Sequence, residues 1–189
     1  MRLRRFAAIP NSKFLIPHQL VLQNIVRLVL WVLILVLLQA TLFNHIHLLG
    51  YATPLPYVYF LLKMPLGTSR VVYIGSGFVV GLLIDILSCT PGMAAATLCA
   101  VGLVTPLLLT AFIPKDRDEE LLIPSVKSMG STPFMLYAGS VTVVHCALFF
   151  LIEAFSFSHW QELLLKFAGS ALLTFLIILA FEAIRPSKS

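Results

Sequence analysis

The chain has 189 residues, of which 59% are hydrophobic and only 11% charged, with a mean hydropathy of +0.98. Soluble domains carry roughly 25% charged residues, so a soluble fold is excluded and one integral membrane domain over 1–189 is expected. The net charge of +5 does not signal nucleic acid, because the cations flank apolar runs instead of forming a stripe with interleaved aromatics.

The leader 1–23 opens Met1-Arg-Leu-Arg-Arg-Phe-Ala-Ala-Ile-Pro10. Its cations orient the chain, or lie against anionic lipid at about 1 kcal/mol each. The first apolar run, 24–43, exceeds the core of a cleavable signal and reads as an uncleaved anchor. Asn44-His-Ile-His47 follows. Alternating His45 and His47 can bind a metal, but no Cys or carboxylate accompanies them, so they read as an interfacial pair and no metal site is expected.

The next apolar stretch, 54–66, holds Leu55-Pro-Tyr-Val-Tyr-Phe-Leu-Leu-Lys-Met64 between Pro54 and Pro65. It is too short for a regular helical crossing at about 1.5 Å per residue. If it does cross, all of the 13 Lys and Arg residues except Arg27 and Lys166 fall on one side of the membrane. The positive-inside rule then favours six crossings with both termini cytoplasmic. The remaining spans are placed at 71–88, 93–113, 133–153 and 161–183. The expected fold is therefore all-α, a polytopic bundle of about six transmembrane helices. The loop 114–132 carries mixed charge and reads as a solvated connection or a docking surface on the cytoplasmic side.

Asp85 lies in the run Gly77-Phe-Val-Val-Gly-Leu-Leu-Ile-Asp85. A carboxylate at the centre of a spanning helix costs about 3 kcal/mol, and less near its end, so such a group faces protein or water. Gly77 and Gly81 have G-x-x-x-G spacing, and Asp85 follows one turn later on the same face. Pro91-Gly92 forces a tight turn before Ala94-Ala95-Ala96. Asp85 should thus point into a close helix–helix contact. At similar depth, Lys166 can form a buried ion pair with it; alternatively Lys166 snorkels outward and Asp85 hydrogen-bonds Gln39, Ser88 or Thr90.

Cys89, Cys99 and Cys146 form no C-x-x-C pair, and Cys99 and Cys146 read as small core residues. His145 reads as an interior histidine, and Tyr51, Tyr57, Tyr59 and Trp160 as interfacial anchors. There is no phosphate loop, no H-E-x-x-H and no serine with a base at recognisable spacing. No enzyme and no cofactor are expected.

The segment from Gly77 through Asp85 to Pro91, Gly92 and the alanines resembles the signature of the rod shape-determining protein family MreD. Asn44-His-Ile-His through Tyr57-Val-Tyr-Phe60 is similar to the form in Bacteroidetes-type members, and the likeness extends over nearly the whole chain. It carries Gly81, Asp85, Pro91 and Gly92 over as motif positions and gives no residue a catalytic role. The resemblance implies a non-enzymatic scaffold of the cell-elongation complex in the bacterial cytoplasmic (inner) membrane. Such a scaffold binds MreC through its span and helps regulate cell shape and peptidoglycan synthesis. RodA, a class B penicillin-binding transpeptidase and MreB are the further partners implied. The family also resembles the six-helix substrate-binding subunits of energy-coupling-factor transporters. A vitamin-type binding subunit is accordingly the alternative, with Tyr51, Tyr57, His159, Trp160 and Asp85 as possible pocket residues. A proton-coupled transporter using Asp85 would need inverted repeats or broken helices in matching halves, which the chain lacks.

Overall fold

The computed structural model of the chain describes residues 18–43, 52–113, 123–154 and 160–184. Most of the leader, His45, His47, Tyr51, His159 and the most charged part of the 114–132 loop lie outside these ranges. The described chain is helical and contains no β-strand.

Helix α1 runs His18–Thr41. A 3-10 turn, Pro56–Val58, continues directly into the four-residue helix α2, Tyr59–Leu62. Then come α3 (Arg70–Ser88), α4 (Met93–Phe112), α5 (Val126–Met129), α6 (Ser131–Glu153) and α7 (Trp160–Ile184). Of these, α3, α4, α6 and α7 are long and apolar enough to cross a membrane. Their outward faces are apolar, as Val79, Leu83, Ile86, Leu136, Leu151, Leu172 and Leu176 show. In lipid that pattern needs no covering, because bilayer and side chain are equally apolar. The structure is that of a helical membrane protein.

Packing is sequential: α3 lies against α4, α4 against α6, α6 against α7, and α1 against α3. The stretch expected to be a short crossing forms the innermost layer. Every residue from Pro54 to Leu62 is buried, and Val58, Leu61 and Leu62 have no exposed surface. Its seven helical residues rise only about 12 Å, so helix alone cannot take it through a bilayer.

How irregular backbone is tolerated there follows from Thr53-Pro54-Leu55-Pro56. The two prolines have no N–H, which leaves the donors of Thr53 and Leu55 to be met. Thr53 N–H donates to Ser170 Oγ and Leu55 N–H to Thr174 Oγ1, each at 2.9 Å. Ser170 and Thr174 sit four residues apart on one face of α7, where side chains align. Gln39 Nε2 donates to the Pro54 carbonyl at 3.2 Å. Non-helical backbone at membrane depth survives only when protein supplies such partners. Just before it, Gly169 leaves room for Ala52, whose Cβ would lie 2.9 Å from a Cβ built on the glycine.

Candidate functional site

Asp85 is 4% exposed and stands where α3 ends and α4 begins. Its Oδ1 accepts the Ala94 N–H at 2.9 Å and the Thr90 hydroxyl at 2.8 Å, and its Oδ2 accepts the Ala95 N–H at 2.9 Å. The first amides of a helix have no partner within it, and Gly92, at the N-cap of α4, has no side chain to offer. Asp85 reaches across from α3 and fills that role, and the positive end of the α4 dipole favours its charge. Its own carbonyl accepts the N–H groups of Cys89 and Thr90, which terminates α3. One residue therefore closes one helix and opens the next.

This reach requires the two helices to touch backbone to backbone. A Cβ on Gly81 would fall 2.4 Å from Ala95 Cα and 2.6 Å from its nitrogen. A Cβ on Gly77 would meet the Leu98 carbonyl oxygen at 2.8 Å. Gly102 on α4 faces the Tyr73 carbonyl in the same way. The turn itself is four residues, with Cys89 at φ +55° and Gly92 at φ +79°. Pro91 and Gly92 are exposed on it.

Two expected partners of Asp85 are corrected. Lys166 Nζ lies 4.0 Å from Glu153 Oε1, and both side chains are more than a third exposed. Lys166 therefore joins the neighbouring helix end at the surface and makes no pair with Asp85. Gln39, also buried, donates to the Pro54 carbonyl. Of the hydrogen-bonding alternatives, the Thr90 contact is formed.

A second polar centre, which inspection of the sequence passes over, lies at the opposite end of the bundle. Lys63 forms an ion pair with Glu182, the side chains being 10% and 7% exposed. Lys63 Nζ also donates to the Pro124 carbonyl at 2.7 Å and sits 4.9 Å from the centre of the Phe134 ring. Glu182 accepts the Tyr59 hydroxyl at 3.0 Å and the Val126 N–H at 3.1 Å. Four segments meet in this knot: α2 with its C-cap, the start of α5, the first turn of α6 and the last of α7. The available signal was one acid inside Phe-Leu-Ile-Ile-Leu-Ala-Phe-Glu182 and one cation inside an apolar stretch.

Taken together, these contacts fix the course of the buried segment. It meets Ser170 at Thr53 and Glu182 at Lys63, so it tracks α7 in the same direction over twelve residues, about 18 Å.

Between the two polar centres lies a third set. His145 and Tyr57 are buried with ring centroids 5.0 Å apart and planes at 88°. Neither nitrogen of His145, nor the hydroxyls of Tyr57 and Tyr137, has a hydrogen-bond partner among the described residues. Of the possible solute-pocket residues, Tyr57 is thus interior and Asp85 is engaged in capping, while Trp160 is largely exposed at the start of α7. No group of three His, Cys, Asp or Glu side chains capable of holding a metal occurs among the described residues.

Compared with family models, curated proteins and solved structures, the chain matches none.

Proposed function

We propose that the chain is a non-enzymatic scaffold of the bacterial cell-elongation machinery, an MreD-type protein that binds the span of MreC in the inner membrane. The observation that carries this reading is the use made of Asp85. Its three hydrogen bonds among the described residues go to the α3–α4 connection, at the very positions through which the chain resembles that family. A buried acid committed to two backbone amides and a hydroxyl braces a helical hairpin.

Charge distribution supports the orientation with both termini cytoplasmic. At the Glu182 end stand Arg70 and Lys127, exposed, and at the Asp85 end the exposed acids Glu153 and Glu162. A cation excess on one side is the orienting signal. The exposed apolar faces of α3 and α7 offer flat surfaces for a partner's single span, where contact depends on packing alone.

The test is co-purification: tagged protein extracted in mild detergent should bring MreC with it, and a tag on an unrelated membrane protein should not. Absence of MreC from the purified material overturns the scaffold reading.

The alternative, a vitamin-type binding subunit, draws on the unpartnered Tyr57 hydroxyl and His145 nitrogens, since buried polar atoms without partners are rare. Its test is thermal stabilisation by a panel of vitamins. No shift with any of them removes it.

A further inference from the structure

At the Glu182 end, where the turn preceding α3 faces the last two turns of α4, the surface holds a cavity of about 360 Å³. Its walls include the buried Tyr73 and Leu109 together with Leu66, and the exposed Ser69, Arg70 and Thr110. The cavity is thus apolar at depth and polar at its mouth, and none of its lining residues is acidic.

Arg70 is the cation there. Unlike Lys63, it has no ion-pair or hydrogen-bond partner among the described residues. Nothing within α3 supplies one: its first turn contains no acid, and the Ser69 side chain does not cap it. Depth decides what such a mouth meets. The 19 residues of α3 span about 28 Å, close to the roughly 30 Å hydrocarbon core of a bilayer. Arg70, the first of them, then stands at the edge of that core, from which its long side chain reaches the lipid phosphates, with the apolar walls level with the first acyl carbons.

We propose that this cavity seats an anionic phospholipid, its phosphate held by Arg70 and Ser69 and its upper acyl chain lying against Leu66, Pro106 and Leu107. A net negative headgroup is specified because none of the described lining residues is a carboxylate that could receive the ammonium of a zwitterionic one. The inference is independent of the scaffold reading and needs only that the chain is embedded in a membrane.

The experiment is native mass spectrometry of delipidated full-length protein in mild detergent, titrated in parallel with phosphatidylglycerol and phosphatidylcholine. Phosphatidylglycerol should bind and phosphatidylcholine much less. Arg70→Gln should weaken the phosphatidylglycerol adduct about fivefold, the factor to which about 1 kcal/mol per cation near anionic lipid converts. Ser69→Asp should abolish it, although aspartate at a helix N-cap strengthens the helix, so this loss cannot come from unfolding. Lys127→Gln, which removes an exposed cation at the same end, should change nothing. Equal binding of the two lipids overturns the proposal, as does an unchanged adduct in Arg70→Gln or an equal loss in Lys127→Gln. Displacement of the lipid by millimolar inorganic phosphate overturns the lipid as the occupant and assigns the mouth to free phosphate.

Discussion

Asp85 Oδ2 accepts the backbone N–H of Ala95 at 2.9 Å, so a side chain of one helix satisfies the first turn of the next. Asp85→Ala removes three hydrogen bonds at once and strands two buried amides. Bonds to a charged group contribute about 1.5–3 kcal/mol each, and an unmet buried donor costs about 1–3 kcal/mol. The variant should lose at least about 3 kcal/mol of stability. Asp85→Asn retains one acceptor oxygen and should lose roughly half as much, its amide nitrogen facing a donor. Thermal unfolding in mild detergent ranks the three proteins; equal loss in both variants would show that charge, and not acceptor count, holds the turn.

Gly81 and Gly75 lie on the same helix and make opposite predictions. Gly81→Ala forces a Cβ against the Ala95 backbone and should cost about 3 kcal/mol by pushing the helices apart. A Cβ on Gly75 meets nothing within 4 Å. Gly75→Ala should therefore gain about 0.5–1 kcal/mol through reduced chain freedom. Melting temperatures of the pair, measured under one condition, check both signs.

Lys63 and Glu182 are coupled. Removing one partner of a buried ion pair leaves the other uncompensated, at about 3–5 kcal/mol. Lys63→Met and Glu182→Leu should each fall in that range. The double variant should lose clearly less than their sum, with a coupling of up to about 3 kcal/mol. It should not return to wild-type stability, because the Tyr59 hydroxyl and the Val126 N–H also depend on Glu182. A double-mutant cycle gives the coupling directly.

His145 contributes a ring but no hydrogen bond among the described residues. His145→Phe preserves the edge contact with Tyr57 and removes two polar atoms from the interior. An unmet buried polar atom costs about 1–3 kcal/mol, so this variant should melt higher than the wild type. A lower melting temperature would mean that water or a solute normally occupies the nitrogens.

Much of this arrangement is legible in the sequence. The four long spans follow from runs of apolar residues, and the inward aim of Asp85 follows from its four-residue spacing from Gly81. The partners of Asp85 are not legible, because two of them are backbone amides of the following helix and leave no trace in residue type. The expected pairing with Lys166 rested on depth alone; depth says nothing about which way a side chain faces around its helix, and Lys166 faces Glu153. The link between Lys63 and Glu182 is hidden by a separation of 119 positions. The buried course of 54–62 was partly visible, in that a run too short to be a regular span was already apparent. Its match to Ser170 and Thr174 was not, since serine and threonine are unremarkable residues in an apolar helix.

The donors of Thr53 and Leu55 have a consequence for how the protein is made. Their acceptors lie 117 and 119 residues downstream, in α7, which is synthesised after every other described helix. The α3–α4 hairpin, bolted by a contact between neighbours in sequence, can settle in the bilayer as soon as it is synthesised. The innermost strip has no such option and waits, with amides exposed, until α7 has been made. A nascent chain cut short before residue 170 would carry a sound hairpin and an unseated heart, and quality-control proteases would find it there.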